Sequence, residues 1–214
     1  MRRKYWLIAL GVLALTAFIL KNSIFRPAEN FHVVDEGKFY RMAQPTAGEI
    51  EELVKKYGIK TIINLRGKQV GEWWYDNEKE ATDRLGINQV DLPFSSEALQ
   101  FPREWKKYLK TLETAERPIL IHCRSGADRT SEAAAVYAME YMGHSRERAL
   151  QEQMSYFHLH VPPFQPAKTH FISRYQGAQW LKETYNPCSK DMRKYATDRC
   201  NEEALAKWKA NGGD

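Results

Sequence analysis

Only three cysteines occur in the 214 residues, at positions 123, 188 and 200, and no second Cys or His pair stands at metal-ligand spacing. That argues against a structural metal; His158 and His160, two residues apart, come nearest to such a pair. Low-complexity tracts and internal repeats are absent, and 43% hydrophobic residues exclude disorder throughout. No basic stripe interleaved with aromatics is found, so the net charge of +5 points to anionic substrates or a membrane surface rather than nucleic acid. The length suits one domain with appendages.

Long apolar runs are equally scarce. One exists, Tyr5 to Leu20, with Arg2, Arg3 and Lys4 before it and Lys21 after it. It is short against the ~20 residues of a typical span, but flanking Lys and Arg side chains can snorkel and lengthen it. No A-x-A pattern closes it, which favours an uncleaved anchor over a cleaved signal peptide or a buried helix. The expected layout is an anchor at 1–21, a linker at 22–30, a catalytic domain at 31–185 and a polar tail at 186–214. The positive cluster before the span keeps its own side cytoplasmic. The expected location is thus a single-pass membrane protein with its catalytic domain outside the cytoplasm. In an exported domain Cys188 and Cys200 form a disulfide or remain two free thiols.

Between those ends the pattern alternates. Phe31–Asp35 and Lys38–Tyr40 read as short strands around Glu36-Gly37. Thr46 and Glu49 form a capping box for a helix that Gly58 ends. Ile59–Leu65 is a β-branched strand, Glu72–Leu85 a helix, Ile87–Leu92 a strand, and Pro102–Ala115 an amphipathic helix. Pro118–His122 is the central strand, followed by helices at Arg129–Met142, Ser145–Tyr156 and Lys168–Tyr185, and by a tail helix around Asp191–Ala210. This order predicts an α/β fold, a central mostly parallel sheet flanked by helices.

The most informative stretch is Ile119 to Thr130, ILIHCRSGADRT. An apolar strand stops at His122-Cys123, a small-residue loop with Gly126 follows, and Arg129-Thr130 opens a helix. A helix N-terminus presents free N–H groups and a positive dipole end, which hold phosphate and favour a thiolate. Arg129 can return to the loop and fork onto two phosphate oxygens. A thiolate beside a phosphate site suggests nucleophilic phosphoryl transfer.

His122 to Thr130 resembles the H-C-x5-R-S/T signature of cysteine-dependent protein tyrosine and dual-specificity phosphatases. Tyr40–Pro45, YRMAQP, and Ile59–Arg66, IKTIINLR, are similar to the opening of bacterial and fungal atypical dual-specificity phosphatases. The resemblance covers about residues 31–180. It implies a tyrosine/dual-specificity phosphatase-like fold and a phosphocysteine on Cys123, with no metal or organic cofactor. Arg124, Ser125, Gly126, Ala127, Asp128 and Arg129 would bind the substrate phosphate, and Thr130 would donate to the Cys123 sulfur. His122 would orient the cysteine loop, and Arg66 would help orient the cradle or the substrate.

A leaving alkoxide or phenoxide needs a proton, and two aspartates compete to supply it. Asp91 precedes a flexible-looking loop, as in dual-specificity phosphatases. Asp128 lies in the cradle, as in phosphatases of inositol lipids. Trp73, Trp74, Tyr75 and Phe94 could wall a substrate pocket or belong to the core. The substrate is a phosphorylated protein or an anionic phosphate-bearing lipid or small molecule. Cys123–Gly126 also resembles a rhodanese loop, but those place the arginine one residue sooner. A pseudophosphatase would need a broken motif, and this one is intact.

Overall fold

The computed structural model describes residues 29–196 and residue 200. Its strands are β1 (His32–Asp35), β2 (Phe39–Met42), β3 (Thr61–Asn64), β4 (Asn88–Asp91) and β5 (Ile119–His122). Its helices are α1 (Ala47–Tyr57), α2 (Trp73–Leu85), α3 (Pro102–Thr114), α4 (Asp128–Tyr141), α5 (Arg146–Gln153), α6 (Pro166–Arg174) and α7 (Ala178–Glu183). Single 3-10 turns lie at Tyr156–His158 and Arg193–Tyr195. The strands form one sheet in the order β1-β2-β5-β3-β4, parallel except for β1 at one edge.

Alternation along the strands builds two layers. Phe39, Ile63, Ile119 and Ile121 face the side covered by Trp105, Tyr108 and Leu112 of α3, the alanines of α4, and Phe171 of α6. Tyr40, Ile62 and Leu120 face the other side, against Ile50 of α1 and Ala81 of α2. Burying each large apolar side chain contributes roughly 1.5–3 kcal/mol. In α4, Ala133, Ala134, Ala135 and Ala138 are fully buried, so this helix packs deep in the larger layer.

One register row carries the consequence for function. Met42, His122, Asn64 and Asp91 sit side by side at the carboxyl ends of β2, β5, β3 and β4. In open α/β sheets ligands bind just beyond such ends. Cys123 is the next residue.

The expected α/β sheet and the capping box at Thr46 and Glu49 are present. The C-terminal helices differ from the sequence reading. The single helix expected over Lys168–Tyr185 is two helices, broken at Tyr175–Gly177, where Gly177 has φ +103°. The helix expected over Ser145–Tyr156 stops at Gln153 and gives way to the 3-10 turn, closed by Leu159 at φ +60°. Side-chain spacing carried no sign of either backbone break. The first part of the tail packs on the domain: Pro187, Met192 and Ala196 are buried and the Leu99 amide donates to the Tyr195 carbonyl. Cys188 and Cys200 form a disulfide. Most of the expected tail helix, and the anchor at 1–21 with most of its linker, lie outside the described residues. Among the described residues no helix is long and apolar enough to cross a membrane.

Candidate active site

The loop after β5 is shaped by what holds its carbonyls. The Arg124 carbonyl accepts from the Gln44 amide at 3.2 Å. The Ser125 carbonyl accepts from Asn30 Nδ2 at 3.0 Å, and the Gly126 carbonyl from Arg41 Nη2 at 2.8 Å. A trans peptide puts its N–H opposite its carbonyl. With these carbonyls taken up by Gln44, Asn30 and Arg41, the N–H groups of Ser125, Gly126 and Ala127 point away from those three residues, which suits them to an anion beside the N-terminus of α4. Gly126 has φ +66°, and a Cβ there would lie 2.6 Å from the carbonyl of Met42. Only glycine lets the loop lie this close to the end of β2.

Cys123 is buried and unpaired. Beneath it Arg41 is fully buried, donating also to Ser131 Oγ at 2.7 Å and to the Gln153 carbonyl at 3.0 Å. All its named acceptors are neutral. Burial, partly offset by Cys123, pulls this guanidinium down to about 9.

Arg129 is half-buried, its Nη1 donating to the carbonyls of Leu65 at 3.3 Å and Phe94 at 3.5 Å. Arg66 lies 3.2 Å over the Trp74 ring and donates to Gln44 Oε1 at 2.8 Å. Burial first, then Arg129 and Arg124, pull the Arg66 guanidinium down to about 10. Thr130 Oγ1 is buried and has no hydrogen-bond partner among the described residues.

His122 turns to the opposite layer and meets Glu78 of α2 at 3.0 Å, both fully buried. Gln44 Nε2 also donates to Glu78, so Arg66, Gln44, Glu78 and His122 form one chain beneath the loop. Of the aromatics expected near a pocket, Trp74, Tyr75 and Phe94 are buried and Trp73 is exposed. Phe94 packs edge-on against Trp105, as a core residue does.

The two candidate acids differ in their surroundings. Asp91 accepts from Asn64 Nδ2 at 2.9 Å and Gln89 Nε2 at 3.2 Å on one oxygen, and from the Tyr75 hydroxyl at 2.7 Å on the other. Asp128 has one oxygen 2.7 Å from His160 Nδ1, and its side chain is 25% exposed. Its second oxygen has no partner among the described residues. His160 and His158 diverge, and no cluster of metal-binding side chains occurs among the described residues. His158 meets His32 edge-on, while its carbonyl accepts from Asn30.

Burial, then Arg41 and His32, pull the His158 imidazole from 6.5 down to about 3. The folded protein therefore holds His158 neutral where the unfolded chain takes a proton. Its contribution to stability is complete above pH 6.5 and drains away as pH falls towards 3. His158→Gln is expected to lose less stability between pH 7.5 and pH 5 than the unsubstituted protein, read from urea midpoints. Equal losses would sink this assignment.

Arg41, Asn30, Gln44, Glu78 and His160 were not singled out as site residues from sequence. Arg41 and Gln44 stood within the YRMAQP motif, which was a usable signal. Asn30 and Glu78 had none, and His160 was named only beside His158 as the nearest approach to a metal pair, because only tertiary folding brings these three to the loop.

Comparison with known proteins agrees with this geometry. The dual specificity protein phosphatase TpbA of Pseudomonas aeruginosa strain UCBPP-PA14 is 28% identical over 115 residues, 53% of this chain and 48% of that protein. The match thus spans about half the length of this curated relative. A crystal structure of P. aeruginosa TpbA with phosphotyrosine shares the fold, at TM-score 0.58 and 22% identity, covering 73% of this chain and 90% of that one. The catalytic core of the PP-IP phosphatase SIW14 from S. cerevisiae, solved with citrate, also has TM-score 0.58, at 21% identity over 69% of this chain and 86% of that one. The family described as "DSP-PTPase phosphatase fused to NAD+ Kinase" matches residues 25–165, which include both upstream motifs and the whole cradle. The chain belongs to this DSP-PTPase phosphatase family.

Proposed function

We propose that the chain hydrolyses phosphomonoesters through a phosphocysteine. The observation that carries this reading is that the Arg124, Ser125 and Gly126 carbonyls are all bound by residues outside the loop, which supports a set of N–H groups turned to an anion beside a free thiol. Cys123 Sγ attacks phosphorus while Arg129 and the N–H groups hold the equatorial oxygens. As the P–O bond breaks, an aspartic acid gives its proton to the leaving oxygen. Water then attacks, the same aspartate takes a water proton, and the S–P bond breaks to release phosphate. The unpartnered Thr130 hydroxyl supports its role as donor to the departing sulfur.

We assign the acid to Asp128. Three donors already occupy the oxygens of Asp91, whereas Asp128 stands in the cradle with one oxygen free. Asp128→Asn is expected to lose about 100-fold or more on an alkyl phosphate and far less on a nitrophenyl phosphate. Asp91→Asn should lose similarly on both. The reverse pattern would return the role to Asp91.

The substrates of the reading are phosphotyrosine or dual-specificity protein sites, supported by the names of the relatives. A second reading, a phospholipid or inositol phosphate, is favoured by one observation. The charges of Arg124 and Arg129 both act on Arg66, and no ion pair to a carboxylate neutralises the three among the described residues. A panel of phosphotyrosine peptides, inositol phosphates, phospholipids and sugar phosphates separates these, with a thiosulfate:cyanide assay beside it. Sulfur transfer without phosphate release would overturn the whole reading. We further propose a single-pass membrane protein with this domain outside the cytoplasm, supported by the apolar run Tyr5–Leu20 and by the Cys188–Cys200 disulfide.

A further inference from the structure

His160 is a fully buried imidazole that the chemistry above leaves unused. We infer that it is a positioning residue for the proton-transferring carboxyl of Asp128; this rests on the phosphatase reading and on Asp128 as its acid. Its Nδ1 lies 2.7 Å from Asp128 Oδ1, and its Nε2 lies 3.0 Å from Thr169 Oγ1 of α6. A carboxylate can only accept, so Nδ1 carries the hydrogen and Nε2 is left to accept from the Thr169 hydroxyl. The threonine thereby fixes both the tautomer and the ring plane. This is the arrangement by which an outer group orients a catalytic one.

Positioning matters here because of what surrounds Asp128. It opens α4 next to Arg129, and the charges of Arg129 and Asp128 both reach Lys168, which forms a buried ion pair with Glu132. A loose carboxylate at this spot would turn to the Arg129 guanidinium or the cradle N–H groups and block the phosphate. His160 ties down Oδ1 and leaves Oδ2 to face the chemistry. In the first step the Oδ2 proton passes to the leaving oxygen as the P–O bond breaks, and Nδ1–H steadies the carboxylate that results. In the second step Oδ2 receives a proton from water, whose oxygen bonds to phosphorus as the S–P bond opens.

The variants His160→Leu, His160→Asn and Thr169→Val test this on nitrophenyl phosphate and on an alkyl phosphate, with kcat read for each. His160→Leu should lose about 10-fold or more on the alkyl ester and about 3-fold or less on the nitrophenyl ester. His160→Asn, whose amide nitrogen replaces Nδ1, should recover most of that loss. Thr169→Val should show a smaller split of the same sign, and it keeps the test open if His160→Leu does not fold. Adding His160→Leu to Asp128→Asn should cost nothing further on the alkyl ester. Equal losses on both esters, no recovery with asparagine, or additive losses in the double variant would each overturn the assignment. A wild-type protein with no Cys123-dependent turnover would instead defeat the phosphatase reading itself.

Discussion

Cys123→Ser folds, still binds inorganic phosphate or vanadate-like anions, and turns nothing over. The expected fall in kcat is at least about 10⁴-fold, because no other group in the loop can form the covalent intermediate. A serine hydroxyl at this spot is slightly smaller than the thiol and stays protonated at neutral pH, so it is a far weaker nucleophile. Folding should be unaffected: the side chain is small and buried and makes no disulfide. Turnover on phosphotyrosine peptides and urea midpoints measured on the same preparation check both halves. Residual turnover within about 100-fold of the native protein would remove Cys123 from the mechanism.

Gly126→Ala should damage the protein in the opposite way, through the backbone. The new methyl group would meet the carbonyl carbon and oxygen of Met42 at 2.6 Å and the Ala43 nitrogen at 2.7 Å, all backbone atoms that cannot swing aside. The residue would also have to keep φ +66°. We expect a stability loss of about 2–4 kcal/mol and a loss of activity beyond what the unfolded fraction explains. Relief of the clash moves the Gly126 carbonyl off Arg41, and the N–H groups of the loop turn with it. Gly58 provides the control. It has nearly the same φ, +67°, but nothing lies within 4 Å of its Cβ position. Gly58→Ala should cost only about 1 kcal/mol and leave kcat unchanged. Equal stability losses at the two glycines would show that the close approach to Met42 carries no energy.

Some of this was legible in the chain before it folded. The sheet, the capping box and the cradle each rest on local rules: alternation, a Thr46–Glu49 pair, and a strand running into a glycine loop and a helix. The Cys123 to Thr130 spacing is local too. The break at Gly177 was not readable, because a glycine within a helical pattern is common and its positive φ is a tertiary outcome. The partners of the catalytic loop were hidden for a related reason. Glu78 and His160 lie 44 residues before His122 and 32 after Asp128, so no window of sequence contains both members of either pair. Arg41 was quoted within a motif, yet only its complete burial reveals a charge stored beneath the thiol. The proposed preference for Asp128 over Asp91 likewise rests on the neighbours of each, which spacing does not encode.

The disulfide of the tail has a consequence for oxidative damage. With Cys188 and Cys200 joined, the chain holds no other thiol. A peroxide that converts the Cys123 thiolate to its sulfenic acid therefore finds no resolving cysteine within the molecule. Recovery depends on a thiol supplied from outside, and without one the sulfur proceeds to the irreversible sulfinic state. On the proposed phosphatase reading, the time over which activity survives under oxidising conditions is then set by the surrounding reductants as much as by the fold.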